Sequence, residues 1–291
     1  MPNAIIDTPM DHNLETYATT RIGSRYFLWG ERTYIMGILN VTPDSFSGDG
    51  VYLDTETALD QAKKMIAEGA DIIDIGGEST RPGAPGITVE EELARVIPVI
   101  QRLSSEIDLP ISIDTYKFEV AEAAVKAGAA MINDVWGLKR DPRLAALAAS
   151  SNVPIILTSS QRDEPAVDII SAVIADLRRA IEVALASGVA PGKIIVDPGF
   201  GFGKTVAQNL ALLRRLDELK VLGKPLLLGT SRKSTIGKVL GDVEPKERLF
   251  GTVATTAIGI MNGADIIRVH DVKENAQTAK MTDAVARGFH V

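Results

Sequence analysis

The stretch ADIIRVHD, residues 264–271, decides the fold. Its apolar run should be buried, yet it stops abruptly at an arginine, a histidine and an aspartate, and the chain holds only three histidines. Seven other runs share this form: TYIMGILN (33–40), ADIIDIGG (70–77), LPISIDTY (109–116), AAMINDVW (129–136), VPIILTSS (153–160), GKIIVDPG (192–199) and KPLLLGTS (224–231). Each is nearly continuously apolar, as a strand buried on both faces must be. Between the runs lie segments of helical period. Ala58, Leu59, Ala62, Met65 and Ile66 make one stripe, and Leu93, Val96, Ile97, Ile100 and Leu103 make another. Thr88 with Glu91 reads as a capping box, and Gly69, Gly128 and Gly188 follow helical stretches where a left-handed residue is wanted. Eight strand and helix alternations predict an α/β fold, a closed (β/α)₈ TIM barrel, in preference to an open doubly wound sheet.

Residues 1–30 fall outside the alternation. YATTRIGSRYFLWG (17–30) reads as a short strand or hairpin across the bottom of the barrel. No linker or low-complexity tract divides the rest, so one domain is expected over residues 1–291. The 31 Lys and Arg against 38 Asp and Glu give a formal charge of −7, which argues against a general electrostatic role on nucleic acid or anionic lipid. Any anion site must be local. The absence of cysteine excludes disulfides, thiolate nucleophiles and zinc–thiolate sites. No apolar stretch is long enough to span a bilayer and no signal pattern opens the chain, so a cytoplasmic location is expected.

In such a barrel the active site lies at the C-terminal ends of the strands. The residues found there are Asn40, the 76–81 stretch, Asp114, Asn133 with Asp134, Thr158 with Ser159, Asp197, the 231–233 stretch, and Arg268 with His270. Strands must end somewhere and loops are polar, which could explain any one of these. The set is harder to dismiss. Asp114, Asn133 and Asp197 come before the loops have begun, and each costs desolvation unless a partner satisfies it. Carboxylates and a carboxamide at one mouth suit a flat heterocycle rich in N–H donors. Lys233, Arg268, His270 and Arg81 face the same mouth and suit a phosphate or diphosphate. Asn40 could take Mg²⁺ through its oxygen, since magnesium keeps several waters and leans on substrate phosphates. The glycines of DPGFGFGK (197–204) could admit a ligand close to backbone, but lack the spacing of a phosphate loop. Two long loops, NVTPDSFSGDG (40–50) and GGESTRPGAPG (76–86), carry Asp44 and Arg81 and have the length of functional lids.

GILNVTPDSFSGDG (37–50) and GADIIDIGGESTRPGA (69–84) resemble the two signature stretches of the dihydropteroate synthase family. SIDTYK, INDVWGL, DPGFGFGKT, GTSRKS and IIRVHDV continue the resemblance in order, over roughly residues 33–285. The family condenses para-aminobenzoate with 6-hydroxymethyl-7,8-dihydropterin diphosphate to give 7,8-dihydropteroate and diphosphate. The resemblance implies that Asp114, Asn133, Asp197 and Lys233 hold the pterin, and that Arg268 stacks on the ring and touches diphosphate. It implies that Asn40 and His270 bind diphosphate and Mg²⁺. Thr80, Arg81, Pro82, Phe202 and Ser234 would build the aminobenzoate pocket, and Asp44 would sit by the reacting methylene. It further implies an SN1-like route and a homodimer packed through C-terminal helices. The attacking aromatic amine is already nucleophilic, so His270 reads as an anion ligand and not a base. Asp271 and Lys273 read as the start of the last helix.

The chain departs from the family after the fifth strand. Thr158 and Ser159 stand where methionine and histidine are expected, which changes one wall of the pterin pocket. Two other readings share the barrel: a pterin-binding paralogue without synthase activity, and a methyltetrahydrofolate:corrinoid methyltransferase. The departure after the fifth strand is the only support for the first, and the second needs neither a diphosphate site nor an aminobenzoate loop, which STRPGA, SRKS and RVHD together supply.

Overall fold

The structure is a computed structural model and describes residues 19–41, 55–79, 86–162 and 168–288. β1 (Thr19–Ile22) and β2 (Arg25–Leu28) pair as an antiparallel hairpin. Eight strands follow at the expected places: β3 (Tyr34–Asn40), β4 (Ile72–Gly76), β5 (Ile111–Asp114), β6 (Met131–Asp134), β7 (Ile155–Thr158), β8 (Ile194–Asp197), β9 (Leu227–Leu228) and β10 (Ile266–Val269). All ladders between them are parallel, in the spatial order β8-β7-β6-β5-β4-β3-β10-β9. The ring closes between β8 and β9 by a single bridge, Val196 to Leu226, with Val196 N–H donating to the Pro225 carbonyl at 3.0 Å. The result is the nearly closed TIM barrel that the alternation predicted.

The helices are α1 (Thr55–Glu68), α2 (Val89–Ser104), α3 (Phe118–Ala127), α4 (Arg143–Ser150), α5 (Ile169–Ala186), α6 (Val206–Arg214), α7 (Ser234–Val239), α8 (Leu249–Met261) and α9 (Val272–Ala286). α2 starts at the expected capping box. Glu91 N–H donates to Thr88 Oγ1 at 3.2 Å while Thr88 N–H donates to Glu91 Oε2 at 3.0 Å. Gly69, Gly128 and Gly188 all have positive φ, as expected after helices. Asp271 precedes α9 as read, but its side chain caps nothing there and pairs with Arg232 instead.

Strand residues alternate between two apolar environments. Ile35, Leu39, Ile73, Ile75, Ile111, Ile113, Ile132, Ile155, Leu157, Ile194, Val196 and Ile267 pack outward under the helices. Met36, Ile72, Met131, Ile156, Ile195, Leu227 and Ile266 point into the barrel, where Ile22 and Phe27 of the hairpin join them. The hairpin therefore plugs the N-terminal end, as the sequence suggested. Stepping two residues along each strand from this floor gives the next inward position. Those positions are Asp74, Asn133, Thr158, Asp197 and Arg268, with Ile38 on β3 and Gly229 just after β9. An apolar floor thus carries a polar layer, and that layer faces the C-terminal mouth.

Candidate active site

One row of the sheet collects three of the expected residues. Asn40 is in register with Gly76, Gly76 with Asp114, and Asp114 with Asn133. Gly76 leaves room between its neighbours, for a Cβ there would lie 3.8 Å from both Asn40 Oδ1 and Asp114 Oδ2. Arg268 reaches toward this row from β10, two strands along from β4. Its Nε donates to Asp74 Oδ2 and its Nη2 to Asp114 Oδ2, each at 2.6 Å. Burial works against the guanidinium charge, but Asp74 and Asp114 outweigh it and hold the group protonated. Burial also pushes the Asp114 carboxyl up, with Arg268 pulling it back.

Asp74 is not among the residues that the sequence picks out, yet it holds the centre of this cluster. Its carboxylate is wholly buried, and Oδ2 also accepts from Asn133 Nδ2 at 3.2 Å. Asn133 is thereby oriented, and its Oδ1 has no hydrogen-bond partner among the described residues. The signal that could have found Asp74 is its parity: it lies two residues before Gly76, on the inward face. Asp134, next to Asn133, points outward and is structural. It accepts from the N–H groups of Trp136 at 2.9 Å and Leu138 at 2.6 Å.

Asp197 ends β8, and its Oδ1 accepts from Gly199 N–H at 2.7 Å. Burial raises its carboxyl, opposed chiefly by Lys233. The loop that follows is pressed against the end of β7. A Cβ on Gly199, whose φ is +68°, would stand 1.8 Å from the Ser159 carbonyl oxygen, so only glycine fits there. Lys204 fastens this loop from inside, donating to the carbonyls of Gly199 at 2.9 Å and Ser159 at 3.1 Å. Burial pushes its ammonium down to about 7, with Asp197 opposing. The loop glycines thus serve packing within the protein, the plainer of the two meanings open from the sequence.

Lys233 turns inward because Arg232 adopts a left-handed backbone, with φ of +55°. Asp271 pairs with the Arg232 side chain, and Arg248 Nη1 donates to the Arg232 carbonyl at 2.8 Å. Lys233 Nζ donates to the Phe200 carbonyl and lies 4.5 Å from the Phe202 ring centroid. Burial drives the ammonium down to about 8, and Asp197 resists the shift. Ser234 opens α7. Phe202 is flanked on another side by Arg162, at 4.3 Å from the ring centroid, and Arg162 also lies 4.5 Å from the ring of Trp136.

His270 follows β10 and is set by Ser231, to which the sequence assigns no role of its own. Ser231 Oγ lies 3.0 Å from His270 Nδ1 and accepts from His270 N–H at 3.2 Å. At the departure after β7, Thr158 is buried on the inward face beside Asp197, its register partner. Ser159 points outward and donates to Asp176 Oδ2 at 2.9 Å, while Asp176 pairs with Lys139 at 2.8 Å. The altered segment is therefore integrated into the fold by its own polar network. Asp44, Thr80, Arg81 and Pro82 lie outside the described residues, as do most of the two long loops. Among the described residues no helix is long and apolar enough to cross a membrane.

Lys233 carries a testable pH dependence. Its ammonium loses a proton near pH 8 in the free protein, and an anionic or carbonyl-bearing ligand would raise that value. Such a ligand would take up protons on binding above pH 8, so its affinity should weaken as pH rises through about 8 and hold steady below about 7. Titration calorimetry from about pH 6.5 to 9.5 should show this limb in the wild type, and Lys233→Met should bind weakly without it.

The comparisons with known proteins agree with this geometry. The family model described as "Pterin binding enzyme" matches residues 36–270. The dihydropteroate synthase of Clostridium beijerinckii is 52% identical over 268 residues, covering 92% of this chain and 99% of that protein. The solved dihydropteroate synthase of Clostridium difficile, with pteroic acid, has a TM-score of 0.86 at 55% identity and covers 89% of this chain and 98% of its own. That of Xanthomonas albilineans, with 4-aminobenzoic acid, has a TM-score of 0.87 at 43% identity and covers 92% and 98%. The polar layer above the apolar floor therefore sits in a sequence and a backbone shared throughout with these proteins, and the chain belongs to the dihydropteroate synthase family of pterin-binding transferases.

Proposed function

We propose that this chain performs the family's condensation with the residues assembled at its mouth. The observation that carries the reading is the inward layer of Asp74, Asp114, Asn133, Asp197, Lys233 and Arg268, in which the acceptors of β4, β5, β6 and β8 face cations carried by β10 and by the segment after β9. Asp114, Asn133 and Asp197 would take the pterin's N–H donors, and Lys233 would face its ring acceptors. Arg268, with His270 held by Ser231, would receive the diphosphate. Thr80, Arg81, Pro82, Phe202 and Ser234 would form the aminobenzoate pocket. The pteroic acid and 4-aminobenzoic acid of the two solved relatives support this choice of ligands. Relatives near half identity carry the synthase name, so the non-catalytic and corrinoid methyltransferase readings are not favoured.

The chemistry follows from the residue types. In an SN1-like route the methylene C–O bond breaks first, the electron pair leaving with diphosphate. The aminobenzoate nitrogen then attacks the methylene and gives up a proton. Such a site stabilises a departing anion and a transient cation by preorganised charge more than by proton transfer. Arg268 and His270 would serve the anion, and Asp44 the cation. Among the described residues no cluster of three or more His, Asp or Glu forms a metal cage. The side-chain oxygen of Asn40 at the mouth nonetheless fits Mg²⁺, which needs few protein ligands when a diphosphate supplies the others. Bound there, Mg²⁺ would neutralise charge on the diphosphate oxygens.

The assay is direct: purified protein with pterin diphosphate, labelled aminobenzoate and Mg²⁺ should yield dihydropteroate. Pterin binding without product would favour the non-catalytic reading. Failure to bind the pterin would overturn both.

We also infer a homodimer through α8 and α9. Phe250, Met281 and Val285 are 84%, 67% and 66% exposed on these two packed helices, with Ile258 and Met261 nearby. Large apolar side chains grouped in this way mark an association surface. Phe250→Asp should weaken dimerisation about thirtyfold, the effect of losing a hot-spot aromatic. Light scattering coupled to gel filtration across a dilution series would report it.

A further inference from the structure

Lys117 follows β5 and immediately precedes α3. Its Nζ donates to Glu78 Oε2 at 2.6 Å, to Glu92 Oε2 at 2.7 Å and to the Ile87 carbonyl at 2.8 Å. An ammonium has three protons, and all three are used. The side chains are enclosed, with exposures of 11% for Lys117, 13% for Glu78 and 1% for Glu92. Burial works against the Lys117 charge, but Glu78 and Glu92 outweigh it and hold the ammonium above its ordinary value.

The placement of the three acceptors is what matters. Glu78 lies just after β4, Ile87 lies just before the capping box of α2, and Glu92 is in the first turn of α2. Glu78 and Ile87 are the two roots of the stretch 79–86, whose sequence contains Thr80, Arg81 and Pro82. The roots also meet each other: a Cβ on Gly86 would stand 3.7 Å from Glu78 Oε1. Arg95 of α2 adds a further tie, its Nη1 donating to the Gly77 carbonyl at 2.9 Å. The three donors of Lys117 are spent within this set, so its ammonium has none left for a ligand. A surface ion pair would contribute little, whereas an enclosed one with every donor matched restrains geometry.

We propose that Lys117 is a positioning residue for aminobenzoate binding, tying Glu78 and Ile87, which bracket in sequence the residues assigned to that substrate, to α2. The proposal rests on the reading above that Thr80, Arg81 and Pro82 contact aminobenzoate. It predicts a split between the two substrates, because Asp114, Asn133, Asp197, Lys233 and Arg268 make their hydrogen bonds outside this clamp.

The test compares wild type, Lys117→Met, Glu78→Gln and Arg81→Ala in steady-state assays that vary each substrate separately, with Tm measured on each protein. Lys117→Met should raise the KM for aminobenzoate by about tenfold or more, and Glu78→Gln by about threefold, as charge-assisted contacts are lost. The KM for pterin diphosphate should stay within about twofold. Glu78→Gln keeps the shape and a hydrogen bond, so it remains informative if Lys117→Met fails to fold. An unchanged aminobenzoate KM in both variants, or a parallel rise in both KM values following the fall in Tm, would overturn the proposal. If Arg81→Ala raises the aminobenzoate KM while the clamp variants do not, Lys117 alone is misassigned. If Arg81→Ala has no effect, the reading beneath the proposal fails with it.

Discussion

Arg268→Met should lower kcat/KM for pterin diphosphate on the order of 10³-fold, the largest loss expected from any single described residue. Two effects combine. The substitution removes the cation assigned to the leaving diphosphate, and preorganised donors of this kind contribute about 3–4 kcal/mol to a transition state. It also strands the carboxylates of Asp74 and Asp114, both held at 2.6 Å by the guanidinium. Breaking a buried pair from one side costs about 3–5 kcal/mol, because the remaining charge is uncompensated. Asp74 has nowhere to turn, since its carboxylate is completely buried. Burial already raises the Asp114 carboxyl to about 7 against the pull of Arg268, so without the guanidinium it takes up a proton more readily, and the stability of the variant should improve as pH falls below about 7. Arg268→Met combined with Asp74→Asn should recover much of the stability and little of the activity. Urea denaturation and kinetics on the four proteins of that cycle separate the two effects. Stability losses that simply add in the double variant would mean that Arg268 and Asp74 are not coupled as drawn.

This cluster also shows where sequence stops informing structure. The eight strands were legible because a strand buried on both faces leaves a continuous apolar run, a local signal that needs no knowledge of neighbours. Asp114, Asn133 and Asp197 were legible because each ends such a run. Asp74 was not, because it sits inside its run, and the arginine that justifies a charge there lies 194 residues away. Only the closed barrel brings the two together. The same holds for Lys117, whose partners at Glu78 and Glu92 come from the preceding βα unit. Ser159 illustrates the converse. The chain visibly departs from the family at that point, but its compensation by Asp176 and Lys139 is tertiary and leaves no trace in the local pattern. Composition and periodicity thus located the mouth, while the supports that fix its geometry required the fold.

Asp197→Asn should lower kcat/KM for pterin diphosphate by about 10²-fold, since a buried carboxylate paired with ligand N–H groups contributes about 1.5–3 kcal/mol. Its effect on Lys233 makes the test specific. Burial drives the Lys233 ammonium down to about 8, and Asp197 is the first of the charges resisting that shift. With the carboxylate gone the ammonium falls further, so the alkaline limb of pterin binding should move from near pH 8 toward neutrality. The sign of the stability change differs from the sign of the activity change. The Asp197 carboxyl is raised in the folded protein by burial, so its stabilising contribution is present at low pH and lost as pH rises through its folded value. Once ionised the group is a net cost to the fold, and the neutral carboxamide that replaces it removes that cost. The variant's Tm at about pH 8 should therefore equal or exceed that of the wild type while activity collapses. A fall in Tm alongside activity would show that Asp197 serves the fold. A preserved Tm with a displaced pH limb would show a charge kept against the interest of stability because the ligand requires it.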